Sequence, residues 1–188
     1  MGTAWEKMLE GLPYSYKDCT SLFDDAVEVH KRSAGVCQYC CYGAGIEVDS
    51  PIYVSLWRQL SVEHVIGGSQ GGYKPQLKEA VRARFPGYPI GEIKRIVDQI
   101  DLANTVTACR FCNDTTSRYV APKTMEKLLE EAQGQTPDEV IVEIQRHLAA
   151  IFESKKRLVL WKLSSIEPAF QEKIREGLHQ ERQKQNRG

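Results

Sequence analysis

Apolar residues near the start of the chain recur at helical spacing and then give way to alternation. Between Ser21 and Ala34, Leu22, Ala26, Val27 and Val29 fall on one helix face, and His30, Lys31 and Arg32 crowd the last turn before Gly35. A helix is predicted there. Residues 43–51 (GAGIEVDSP) are turn-rich, whereas residues 52–66 (IYVSLWRQLSVEHVI) are dense in β-branched and aromatic side chains, with Val54, Leu56, Leu60 and Val62 alternating onto one face. That pattern predicts a strand, or two strands broken near Arg58 and Gln59. Residues 67–72 read as a loop, and prolines and glycines in the polar stretch through RARFPGYPIG argue against regular structure there. Ile93, Ile96, Val97 and Ile100 then mark a short helix before Asn104.

The C-terminal third is simpler. Thr136, Pro137 and Glu139 supply an N-cap, a proline in the first helical turn and the return partner of a capping box. Val140, Ile144, Leu148 and Ile151 follow on one face of a long helix. A further helix is predicted from Ser164, ending polar and frayed. There is no internal repeat.

Composition changes this picture little. The 188 residues suit one domain with an appendage, and 25 basic against 25 acidic side chains leave a formal net charge of +0, so any attraction to nucleic acid must come from a local patch. The first residues lack the apolar core of a signal peptide, the myristoylation pattern fails, and no apolar run approaches the length of a membrane span. A soluble cytoplasmic protein with no membrane partner is expected.

The six cysteines say more. Cys37 and Cys40 form one C-x-x-C knuckle, Cys109 and Cys112 another, and Cys19 and Cys41 stand apart. In a reducing compartment two such knuckles point to a closed four-thiolate zinc site, with redox-active pairs as the rival reading. The knuckles lie roughly 70 residues apart, so the zinc would clamp the two ends of an inserted module. Cys41 could replace Cys40 as ligand; otherwise it and Cys19 read as small buried apolar residues.

Between the knuckles, Glu63 and His64 end the predicted strand and run into Gly67, Gly68, Gly71 and Gly72. Alone, such a pair is more often a solvated strand end than a dyad. Taken in order, however, CQYC, VEHVIGGSQGG and DLANTVTACRFCND resemble the HNH endonucleases of the His-Me finger (ββα-metal) superfamily, in the branch held by a four-cysteine zinc. The resemblance covers about residues 32 to 118. It implies an α+β protein with a ββα-metal (HNH) core clamped by a Zn(Cys)4 site, an N-terminal helix and a C-terminal helical extension. It also implies residues 1–122 as the nuclease domain, with an insert at about 73–99, and residues 123–188 as the extension.

Hydrolysis of a DNA phosphodiester needs an activated water and a cation facing the developing negative charge. In the resemblance His64 is the general base, Glu63 and Asn113 hold a catalytic Mg²⁺ or Mn²⁺, and Asn104 ties down the loop that orients His64. Adjacent strand residues point to opposite faces, so the strand must end at His64 for both to address one phosphate. Arg110 and Arg118 flank the last knuckle and are candidates for phosphate contact, as are Lys74, Arg82 and Arg84 in the insert, which also carries Lys78, Lys94 and Arg95. Interleaved Glu79, Glu92 and Asp98 favour a solvated reading of those insert residues.

The chain departs from the family pattern in having Glu63 where Asp or His is usual, Asn113 where histidine is common, Gly67 where many relatives have proline, and a longer insert. His30, His147 and His179 lie in helical patterns outside the module and read as surface or interhelix residues. Three function classes remain: a metal-dependent DNA endonuclease, a non-catalytic zinc-stabilised nucleic-acid-binding module, and a protein-interaction domain using the C-terminal helices. Those helices also offer a homodimer contact, since one site per chain predicts nicking by a monomer.

Overall fold

The computed structural model of the protein describes residues 26 to 186. The N-terminal part of the predicted first helix, and Cys19, lie outside the described residues. In chain order the elements are α1 (Ala26–Arg32), α2 (Tyr53–Trp57), β1 (Leu60–His64), α3 (Lys74–Arg84), α4 (Ile90–Asn104), β2 (Thr105–Cys109), α5 (Arg110–Thr116), α6 (Met125–Glu131), α7 (Pro137–Ala169) and α8 (Arg175–Gln185). The fold is α+β, mostly helical around one small sheet.

β1 and β2 pair antiparallel, from Leu60 opposite Cys109 to His64 opposite Thr105. Alternation sends Ser61, Glu63, Val106 and Ala108 to one face and Val62, His64, Thr105 and Thr107 to the other. A two-stranded ribbon is marginal by itself, and here both faces are covered. On one, Val29 of α1 meets Val62, and His30 Nδ1 shares a 3.0 Å hydrogen bond with Thr107 Oγ1. His30 is 2% exposed and sets its ring edge-on to Trp57, so it is an interior residue and not a surface one. The other face receives α5, which leaves β2 directly, and the middle of α7.

Three sequence expectations are corrected. Residues 53–57 form the single-turn helix α2 and not a strand; the break at Arg58 and Gln59 is where it was expected. The alternation there misled because Ile52 and Val54 are solvent-exposed and only Leu56 of α2 is buried. Residues 74–84, expected to be irregular, form α3, which carries proline in its first turn and buries Leu77 and Val81, with Phe85 just past its end. One apolar side chain every four residues is a stripe too narrow to stand out against the charges between. Finally, no helix starts at Ser164. α7 runs unbroken through it to Ala169, with the predicted Thr136–Glu139 capping box at its start. Pro168 lacks the N–H that would close the preceding turn, and a π-helical segment, Phe170–Ile174, follows before α8.

One apolar cluster extends from Cys37 and Tyr39 through α3, α4, α6 and α7 to Val159. The helices after residue 123 pack in the same apolar cluster as the hairpin. Among the described residues no helix is long and apolar enough to cross a membrane.

Candidate metal centre and hairpin site

The end of the hairpin at Leu60 and Cys109 carries the cysteines. After α1 the chain reverses through Ala34 and Gly35, both at positive φ, with Gly35 N–H bonded to the His30 carbonyl at 2.9 Å. The knuckle closes on itself, Cys41 N–H donating to the Cys37 carbonyl and Cys37 N–H to that of Tyr42. It docks on β2 through Gln38, whose N–H donates to the Thr107 carbonyl and whose Oε1 accepts from Thr107 N–H. Cys109 caps α5 and Cys112 sits in its first turn.

The sulfurs of Cys37, Cys40, Cys109 and Cys112 lie within 4.8 Å of one another, with Cys40 and Cys109 3.7 Å apart. A tetrahedral zinc with bonds of about 2.3 Å requires sulfur–sulfur separations of about 3.8 Å. The cluster can hold a metal ion, and its size and donor chemistry fit zinc. Hydrogen bonds from Cys109 and Cys112 hold the Cys37 thiol far below its ordinary range, while burial pushes Cys40 up to about 12. Four thiols this close share little negative charge unless a cation is among them. Cys41 is exposed at φ 61° and lies outside the cluster, neither ligand nor buried apolar residue.

The other end of the hairpin carries Glu63 and His64, 7% and 6% exposed. β1 does end at His64, yet His64 is still in the ladder opposite Thr105, so the two side chains leave on opposite faces, which corrects the expectation that both address one phosphate. The His64 ring lies 4.7 Å from that of Tyr73. Burial, and secondarily the Lys155 charge, push its pKa down to about 4. The imidazole is therefore neutral at neutral pH, the form that can accept a proton.

Asn104 is wholly buried at the end of α4. Its Oδ1 accepts from Ile66 N–H at 2.8 Å, and its Nδ2 donates to the carbonyls of Ile66 and Gly72 at 3.2 and 2.9 Å. Its backbone carbonyl takes Val65 N–H at 2.8 Å. The loop after His64 is thus pinned at both ends by one amide. Gly72 is required at this junction, because a Cβ there would overlap the Ile66 carbonyl oxygen. Asn113, half-buried on α5, donates to Ser61 Oγ at 3.1 Å and so faces the side of the hairpin that carries Glu63.

The basic candidates scatter. Arg110 and Arg118 are exposed beside α5, Arg110 lying loosely 4.0 Å from Asp114. Lys74 is paired with Asp98 and Asp101, and Arg82 with Glu79. Arg84 donates from its guanidinium to the carbonyls of Ala132 and Gly134 and ties α3 to the loop before α7.

Two residues at the site were not anticipated. Lys155 of α7 reaches across to Glu63, its Nζ 2.6 Å from Oε1 and 3.0 Å from the His64 carbonyl oxygen. Thr116 Oγ1 donates to the same Glu63 oxygen at 2.9 Å. The signal was present: Ile144, Leu148, Ile151, Lys155 and Val159 form one stripe, and a lysine inside it has to find a partner within the core. Tyr39, stacked on Phe152, buries a hydroxyl with no hydrogen-bond partner among the described residues, and burial together with the Glu63 charge raises its pKa.

Glu63 Oε2 and Asn113 Oδ1 accept no hydrogen bond from the described residues and remain as hard oxygen donors on one side of the hairpin. With its one carboxylate already paired with Lys155, this face is a poor fit for Mg²⁺ or Mn²⁺. Comparison with protein-family models, with curated proteins and with solved structures finds no match.

Proposed function

We propose that the protein is a metal-dependent endonuclease of the HNH type acting on DNA. The observation that carries the reading is the combination on one hairpin: a four-cysteine metal cluster at one end, and at the other a neutral imidazole whose following loop is pinned by Asn104. In this reading His64 takes a proton from water, Glu63 and Asn113 are the ligands of Mg²⁺ or Mn²⁺, and a structural zinc holds the Cys37–Cys40 knuckle to the start of α5. The divalent ion supplies positive charge to the phosphorane and leaving oxygen. Arg110 and Arg118 contribute backbone contacts.

A homodimer belongs to the same reading. Ile166, Phe170, Ile174 and Leu178 stay exposed at four-residue spacing beyond the core, and cutting both strands of a duplex is simplest with two sites where each chain offers one.

Supercoiled plasmid tests the activity. Zinc-loaded protein should nick or linearise it only with added Mg²⁺ or Mn²⁺, and His64→Ala should lose at least about a hundredfold in rate. Equal cutting by His64→Ala removes the assignment. A second reading, a zinc-stabilised nucleic-acid-binding module without catalysis, is favoured by the burial of Glu63 and His64 and by the Lys155 ion pair. Duplex binding without cleavage under every metal condition would select it.

A further inference from the structure

The stripe of α7 that faces the core does not stop where the core does. Ile144, Leu148, Ile151, Lys155 and Val159 are buried, and Leu163 packs partly against the same cluster. The stripe then continues through Ile166, Phe170, Ile174 and Leu178 on an arm, residues 164–185, in which every residue is exposed. Successive four-residue steps would carry side chains steadily around a plain α-helix, because four residues exceed its turn. The π-helical segment Phe170–Ile174 takes up that excess, since i→i+5 bonding widens the turn, and it keeps Ile174 and Leu178 in line with Ile166 and Phe170. A helix draws most of its stability from burying such a stripe.

The arm is complementary to itself. Two arms laid antiparallel about Glu172 set Ile166 beside Leu178 of the second copy, and Phe170 beside its Ile174. The same register brings Glu167, next to Ile166, to Arg175, next to Ile174, and the two-fold symmetry repeats the pair. Neither residue has an ion-pair partner within its own chain among the described residues. A parallel arrangement is blocked by the core, which already occupies this face of the helix from Ile144 to Val159. An antiparallel arm runs away from it.

We propose that the arm is a self-docking surface on which a second copy of the chain pairs antiparallel about Glu172, holding the two hairpins at opposite ends of a rod. The inference rests on the homodimer of the reading above and deepens it by naming the face and the register. Val159 of one copy then stands about 40 Å along the rod from Val159 of the other. Eight side chains bury less than the roughly 1,600 Å² of a standard stable interface, so the dimer is weak and concentration-dependent.

Sedimentation equilibrium of the zinc-loaded full chain at low salt tests the surface without reading cleavage, so the nuclease assignment is decided separately. Wild type should associate reversibly to a dimer. Phe170→Glu should stay monomeric over the same concentrations with zinc content unchanged. Glu167→Arg and Arg175→Glu should each weaken self-association about tenfold, because two attractions become two repulsions. Mixed in equal amounts, these two variants should associate about as tightly as wild type, since each arginine of one then meets a glutamate of the other. Glu172→Arg makes the same change of charge away from the stripe and should leave association near wild type. A wild type that remains monomeric removes the homodimer itself. A dimer that survives Phe170→Glu lies on another surface, which overturns the role of the arm. Absence of recovery on mixing, or equal weakening by Glu172→Arg, overturns the antiparallel register.

Discussion

The two ends of the β1–β2 hairpin solve the same problem in different ways. Each gathers groups that cannot be buried bare. At the Leu60–Cys109 end four sulfurs converge, and all four come from two short motifs, each of which supplies two of them. At the His64–Thr105 end a carboxylate is buried, and its counter-charge comes from Lys155, far along the chain on α7. Both ends join distant parts of the chain, but the first is built from two paired motifs whose chemistry suits an external cation, and the second from one isolated lysine that supplies its own. Neutralisation by a metal leaves a motif, whereas neutralisation by a distant side chain leaves only one anomalous residue in an apolar stripe.

The comparison breaks most visibly at the cysteine end. Structural zinc contributes on the order of 10 kcal/mol of apparent folding free energy in small domains, which exceeds the whole stability of many of them. Cys37→Ser should therefore release the metal and abolish cooperative unfolding, with zinc content falling from one per chain toward zero. Cys41→Ser, at an exposed position outside the cluster, should leave both unchanged. Equal zinc loss in the two variants would mean that the exposed cysteine is a ligand after all.

A smaller effect is expected where α4 meets the loop after His64. Asn104→Ala removes one acceptor and the donors to two carbonyls, stranding the N–H of Ile66 and the carbonyls of Ile66 and Gly72 in a buried site. Each stranded group costs about 1–3 kcal/mol, so a loss of about 4 kcal/mol in urea unfolding is expected at pH 7. Zinc content should stay at the wild-type level, because the two ends of the hairpin are held independently. Loss of zinc along with stability would show that they are coupled.

How much of this could be read from the chain follows the same division. The cysteine cluster was legible because two knuckles state their ligands outright, and Asn104 was legible as the residue tying down the loop. The capping box at Thr136 specified the start of α7 from three residues. What was hidden depended on context. In α2, alternation failed because Val54 faces solvent while Leu56 is buried, and in α3 a four-residue stripe was masked by charge. Arg84 looks like any surface arginine until its guanidinium is seen to cap two carbonyls of another segment. Lys155 was the costliest omission. An apolar stripe was followed only as far as Ile151, one step short of the residue that completes the Glu63 site.

The smallest effect concerns protons at the Glu63–His64 end. His64 is held down to about 4 by burial and by Lys155, while the same group in the unfolded chain titrates near 6.5. The unfolded state therefore binds a proton first as the solution is acidified. The contribution of His64 is fully present above pH 6.5 and is lost as the pH falls through about 4. Linkage puts the loss at about 2 kcal/mol by pH 5, growing to about 3 kcal/mol at full protonation. His30, also lowered by burial, adds in the same direction. Urea unfolding of wild type and His64→Gln between pH 7 and pH 5 isolates the term, because the glutamine keeps polar groups at the site and cannot titrate. Wild type should lose about 2 kcal/mol more than the variant over that interval. Lys155→Gln should shrink the difference by removing part of the cause, which ties the proton affinity of one face of the hairpin to the lysine buried behind the other. Parallel pH profiles in wild type and His64→Gln would mean that the imidazole titrates normally and that the acid sensitivity belongs to the thiolates.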